Sequence, residues 1–126
     1  MNINSNKAPE PIGLYPHAKK VGNLLFLSGI GPRKKGSKDI PNNFESQCHA
    51  VFENVKNILE EAGSSWNNII DITVFLINIK ENFELYNKIY TEYFKNHPSP
   101  PTRTTVEVSR LPTKIDIELK IIAKID

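Results

Sequence analysis

Arg103 follows two prolines in the segment Pro100-Pro101-Thr102-Arg103-Thr104-Thr105-Val106-Glu107-Val108, at the mouth of a stretch that alternates as a strand does. Proline fixes φ and removes a backbone donor, so the chain enters that strand with little conformational freedom. A guanidinium held there can grip a carboxylate through two parallel hydrogen bonds, which sets orientation as well as affinity. The alternative is a surface arginine in a solvated ion pair. Alternation places Thr104, Val106 and Val108 on one face and Arg103, Thr105, Glu107 and Ser109 on the other. In the last apolar run, Ile115, Ile117, Leu119 and Ile121 separate in the same way from Asp116, Glu118 and Lys120. A short turn containing Leu111-Pro112-Thr113 predicts an antiparallel hairpin between the two runs. Matching their apolar faces then puts Glu118 on the face of Arg103, opposite it or opposite Thr105. Two readings stay open: a cross-strand salt bridge worth at most about 1 kcal/mol, or an anion clamp beside a general acid/base.

The elements that must position these residues are those of one domain spanning residues 1–126. A chain of 126 residues, 39% hydrophobic and 24% charged, can close a core of its own. Residues 1–11 are polar and proline-containing, which predicts a loose arm. Residues 21–30 predict a strand, followed by a turn at residues 31–36. Phe44, Cys48, Val51, Phe52, Val55, Ile58, Leu59 and Ala62 recur at helical spacing, with Asn42 or Asn43 as cap and Gly63 as stop. Residues 69–79 are β-branched and apolar on both faces, which predicts a central strand. Asn78 and Glu81 have the spacing of a reciprocal cap. They open a second helix through Phe83, Tyr86, Tyr90, Tyr93 and Phe94, whose rings are expected in the core, with Trp66 plugging the exit of the first helix. Strands at residues 103–109 and 115–124 complete an α+β order. Two helices cover one face of such a sheet, yet its strands are apolar on both, so an oligomer is expected, most simply a closed ring.

Several classes of function are disfavoured. No apolar stretch approaches the roughly 18 residues of a membrane span, and residues 1–7 lack the apolar region of a secretion signal, so the expected location is cytoplasmic with no membrane partner. Net charge is +2 with the basic residues spread, which argues against nucleic acid. The single Cys48 excludes an internal disulfide and falls in the buried pattern. Cys48 and His49 are adjacent on a helix and diverge, so no metal site is expected.

PPTRTTVEVSRLP followed by IDIELKIIA, with Gly13-Leu14-Tyr15, Leu27-Ser28-Gly29 and Asn87, resembles the Rid family of reactive intermediate deaminases, also called the YjgF or L-PSP endoribonuclease family. The resemblance implies a chorismate-mutase-like α+β subunit with two helices on one face of a mixed sheet. It also implies a homotrimer with ligand clefts between subunits, and no metal or organic cofactor. The implied chemistry is hydrolysis of a 2-imino or 2-enamino acid to a 2-oxo acid and ammonia. By position, Arg103 matches the residue that binds the substrate carboxylate and Glu118 the acid that handles water and proton transfer. Tyr15, Ser28, Gly29 and Asn87 match cleft positions. Thr105 stands where many members carry Cys, so its expected role comes from backbone groups. Tyr15-Pro16-His17 and the stretch from Ser28 to Arg33 are similar to 2-aminomuconate deaminases within the family, which implies a dicarboxylic substrate with Arg33 or His17 facing the second carboxylate. The alternatives are an endoribonuclease and a non-catalytic module that binds a small carboxylate-bearing metabolite in the same cleft.

Overall fold

The computed structural model describes residues 1–11, 16–36 and 39–125. In chain order the elements are β1 (Asn2–Ile3), β2 (Ala18–Val21), β3 (Leu24–Leu27), α1 (Phe44–Glu61), a 3₁₀ turn at Trp66–Asn68, β4 (Ile69–Leu76), α2 (Ile79–Phe94), β5 (Thr102–Glu107) and β6 (Ile117–Lys124). The first helix starts and stops where its sequence says. The Asn43 side chain accepts a hydrogen bond from the Ser46 amide at 2.8 Å, satisfying one of the donors orphaned at a helix start. At the other end Gly63 takes φ +81°, and the amides of Gly63 and Ser64 donate back to the Glu60 and Leu59 carbonyls. That pair of bonds is the Schellman motif, open to glycine because a Cβ would crowd the left-handed conformation.

The second helix is capped differently from the expected reciprocal pair. Asn78 sits at φ 50°, ψ 56° and makes no side-chain cap bond; Glu107, from β5, accepts from the Ile79 amide at 3.0 Å instead. A carboxylate at a helix N-terminus also meets the positive end of the dipole. Trp66 packs edge-on to Phe52, lies against Phe94, and donates Nε1–H to the Tyr93 carbonyl at 3.1 Å, closing the gap between the helices as expected.

The six strands form one sheet in the order β1-β2-β3-β6-β4-β5. Two sequence expectations are corrected here. The segment expected as one strand over 21–30 is the second half of a hairpin: Val21 pairs with Leu24 around a two-residue turn whose first residue, Gly22, has φ +61°. Residues 1–11 are not a loose arm. Asn2 and Ile3 pair with Lys19 and Ala18, and Ser5 and Ala8 are buried.

A third correction bears directly on function. β5 and β6 are not a hairpin; β4 lies between them, parallel to β5 and antiparallel to β6. The β4–α2–β5 run is a crossover unit, which returns the chain parallel to its starting strand. The segment after β5 then passes the end of β4, with the Val108 amide donating to Leu76 O and the Ile77 amide to Asp116 O.

Leu25, Leu27, Ile72, Val74, Leu76, Ile117, Leu119 and Ile121 are fully buried and occupy one face of the sheet, with α1 and α2 packed over it. The other face carries no helix and presents Phe26, Phe75 and Ile122, half-buried, with Val106 exposed. Among the described residues no helix is long and apolar enough to cross a membrane.

Replacing Asn43 with Ala removes the side-chain cap at the start of α1 and is expected to lower stability by about 1 kcal/mol. Urea unfolding followed by circular dichroism checks this, and an unchanged midpoint would contradict the assigned cap.

Candidate functional site

The strand pairing dictates where the expected site residues go. Arg103 is paired with Ile72, which is paired with Ile121, whereas Glu118 is paired with Phe75, which is paired with Val106. Paired residues share a face and neighbours along a strand alternate, so the backbone sends Arg103 and Glu118 to opposite faces of the sheet. The expectation that Glu118 stands on the Arg103 face within one cross-strand step is therefore overturned. The polar stripe of β5 faces α2 and its apolar stripe faces the side without helices, the reverse of the usual sorting.

On the helix side, Arg103 is surrounded by neutral groups. Its Nε–H donates to Thr105 Oγ1 at 2.7 Å and Nη2 donates to Asn87 Oδ1 at 2.6 Å. The guanidinium carbon lies 4.6 Å from the Tyr90 ring centroid, 5.1 Å from that of Tyr86 and 5.8 Å from that of Phe83. Spacings of three and four residues put these rings on one face of α2, above the edge strand that carries Arg103. Three sequence-predicted residues, Arg103, Thr105 and Asn87, thus form one cluster. The Thr105 side chain takes part as well, through its hydroxyl, which accepts from Arg103. Phe83, expected in the core, is 41% exposed and walls the guanidinium together with Tyr90, which also packs against the core through Phe94. Burial raises the Tyr90 phenol pKa, with the Arg103 charge opposing the shift. Tyr86 is fully buried and its hydroxyl has no hydrogen-bond partner among the described residues.

On the other side, Glu118, Ser28, Gly29, His17 and Arg33 line a cavity of about 70 Å³, together with Pro9 from the arm, which leaves room for several waters. Gly29 lets the carboxyl approach closely: a Cβ there would lie 3.0 Å from both Cδ and Oε2 of Glu118, so a larger residue would push the carboxyl aside. Burial holds the Glu118 carboxyl above the ordinary carboxylate value of 4.5. The Lys120 ammonium, two residues along the same strand, donates to the Leu27 carbonyl.

Ser28 is tied by its hydroxyl to the Pro16 carbonyl at 2.7 Å. His17 is 5% exposed, and both ring nitrogens are engaged. Nδ1 accepts from the Ser5 amide at 2.7 Å and Nε2 donates to the Pro9 carbonyl at 2.6 Å, which is the arrangement of the neutral Nε2–H tautomer. A second carboxylate would find no free N–H on it. The Arg33 guanidinium reaches the Glu10 carbonyl, and the loop beneath it is pinned by Asn54, whose amide donates to the Gly31 and Arg33 carbonyls at 3.0 Å each. Asn54 was missed in the sequence, although an amide set in the buried stripe of α1 was a legible signal that something polar must be held there. Tyr15 lies outside the described residues. Cys48 is inert packing: burial, then the charge of Glu45, pushes its thiol up to about 12.

Because the folded-state pKa of Glu118 is raised, the folded protein binds more protons than the unfolded chain just above pH 4.5. Glu118 therefore costs stability progressively as pH rises through that window. Glu118→Gln should match the parent near pH 4 and exceed it in thermal midpoint at pH 7. Equal pH profiles for the two proteins would contradict the burial of this carboxyl.

The endoribonuclease L-PSP family model matches residues 5–125. A RutC family protein from Saccharolobus solfataricus is 42% identical over 97% of this chain and 95% of its own. Among solved structures, E. coli TdcF with bound serine superposes with a TM-score of 0.93 at 34% identity, covering 100% of this chain and 99% of that one. The Rid family protein YyfA from Yersinia pestis does so at 0.93 and 35% identity, covering 99% and 98%. With this sheet order, two helices on one face, and agreement along nearly its whole length, the chain belongs to the endoribonuclease L-PSP family, the Rid or YjgF family, and has its chorismate-mutase-like fold.

Proposed function

We propose that the protein hydrolyses a 2-imino or 2-enamino acid to the 2-oxo acid and ammonia, in clefts built between copies of the chain in a homotrimer. The observation that supports this reading is a guanidinium held by neutral groups on one face of the sheet and a protonatable acid in a small cavity on the other, which we read as the two halves of the site. Neither half suffices alone. A second copy laid against the face without helices would bring the Arg103 cluster of one copy toward the Glu118 cavity of the next, and would cover Phe26, Phe75, Ile122 and Val106.

Arg103 neutralises the substrate carboxylate and fixes its plane. Glu118, kept protonated more readily by burial, donates its proton to the imine nitrogen, or to C3 of an enamine, as the C=N carbon becomes electrophilic. As a carboxylate it then takes a proton from the water that adds to C2. The carbinolamine expels ammonia with return of that proton, leaving the oxo acid. Ser28 and Gly29 shape the wall against which the water would stand. The serine bound by TdcF carries the α-carboxylate that this mechanism requires. A dicarboxylic substrate of the 2-aminomuconate type rests on Arg33, since both nitrogens of His17 are occupied.

The ribonuclease reading has less support. His17 and His97 have both ring nitrogens engaged by backbone groups, and His49 is bonded to the Tyr93 hydroxyl, so no pair of imidazoles is available for phosphodiester cleavage.

Generating an imino acid in situ and following oxo-acid release tests the proposal. Arg103→Ala should lose about 30- to 150-fold in kcat/KM, the equivalent of about 2 to 3 kcal/mol of charge-assisted bonding. Unchanged turnover would refute the clamp. Sedimentation equilibrium should give three times the 14.3 kDa chain mass, and a monomer active at the same dilution would refute shared clefts.

A further inference from the structure

A guanidinium has two edges that can hold a carboxylate by parallel bonds, Nε/Nη2 and Nη1/Nη2, and five N–H groups in all. Here both nitrogens of the first edge are already engaged, Nε by Thr105 Oγ1 and Nη2 by Asn87 Oδ1, while Nη1 has no hydrogen-bond partner among the described residues. Taking Arg103 as the carboxylate receptor of the proposed reaction, we infer that Thr105, Asn87 and the α2 rings of Phe83, Tyr86 and Tyr90 form an orienting device that offers a ligand only the Nη1/Nη2 edge.

Each component restricts a different freedom. The two hydrogen bonds stop the guanidinium from rotating about its long axis and from presenting its side edge. The three rings, from helix positions 83, 86 and 90, hold the cation by their π faces without cancelling its charge. Both oxygen partners are neutral, so the full positive charge stays available to an anion. The depth of the rings is graded: Tyr86 is fully buried, Tyr90 half-buried and Phe83 exposed, which makes the rings a sleeve with one open end. Thr105 and Tyr90 are then positioning residues that act through Arg103. What they control is where C2 of the ligand stands relative to the acid across the cleft, because an end-on carboxylate places C2 in one line with the guanidinium and a side-on one does not.

This device separates affinity from turnover. Thr105→Val keeps the side-chain shape and removes the acceptor, which frees the Nε edge. Pyruvate can then bind end-on or side-on, so its affinity, read by titration calorimetry, should stay within about threefold, while the saturated rate of 2-iminopropanoate hydrolysis falls about tenfold or more as the reacting carbon is misplaced. Thr105→Ser, which restores the acceptor, should recover most of that rate.

Tyr90→Leu removes a ring and should weaken pyruvate binding about three- to thirtyfold, with Tyr90→Phe recovering most of it. These two variants keep the inference testable if Thr105→Val does not fold. Equal loss of rate in Thr105→Val and Thr105→Ser would overturn the device, as would Tyr90→Phe as impaired as Tyr90→Leu. Arg103→Ala separates the two levels. If it abolishes pyruvate binding while Thr105→Val and Tyr90→Leu behave as the parent, the receptor stands and the orienting device falls. If it leaves pyruvate binding and turnover intact, the underlying reading falls with it.

Discussion

β4 lies between the strands that carry the two ionisable groups of the site, and this placement governs the rest of the molecule. Had β5 and β6 paired directly with their apolar faces matched, Arg103 and Glu118 would have met in a cross-strand salt bridge, each neutralising the other. With β4 between them, the pairing frame sends the guanidinium toward α2 and the carboxyl toward the face without helices. One chain thus keeps a cation and an acid on opposite faces, and leaves an apolar sheet face without a helix over it. The division of the site and the incomplete burial of the sheet have one origin.

The two groups are tuned by opposite means. Arg103 has neutral hydrogen-bond acceptors and aromatic rings around it, so its geometry is fixed while its charge stays uncompensated. Glu118 has Gly29 packed against it and its carboxyl set in a small cavity, where desolvation favours the protonated form. A permanent cation and a ready acid are the two groups that imine hydrolysis of a carboxylate substrate needs. Among the described residues neither group has an ion-pair partner, whereas the ion pair Lys95–Glu92 lies on the exposed face of α2, where it contributes little.

The acid's cavity is assembled from parts distant in sequence. His17 ties the arm at residues 5 and 9 through its two nitrogens, and its carbonyl accepts from the Ser28 amide, so one buried imidazole joins the arm to the loop beside Glu118. Asn54 does the same for residues 31 and 33 from the helix side. Both ring nitrogens of His17 and the amide nitrogen of Asn54 are thus bonded, the condition under which buried polar groups order a structure without a net penalty.

Much of this was legible in the residues. The period of α1, its Asn43 cap and Gly63 stop, the two-sided apolar character of β4 and the single covered face follow from spacing and local chemistry, because they depend on neighbours a few positions away; that Asn87 and Thr105 lie beside Arg103 agrees with what the family resemblance implied. The hairpin at residues 103–124 was misread because alternation in β5 and β6 satisfies a hairpin and a crossover equally well. Periodicity reports which residues share a face, not which strand lies alongside. The side of the sheet to which Arg103 points, the contact of the Thr105 hydroxyl with it, the rings of Phe83 and Tyr90 beside it, and the docking of residues 1–11 were decided by tertiary structure alone. Each is a contact between segments whose separation along the chain carries no period, so only packing could choose it.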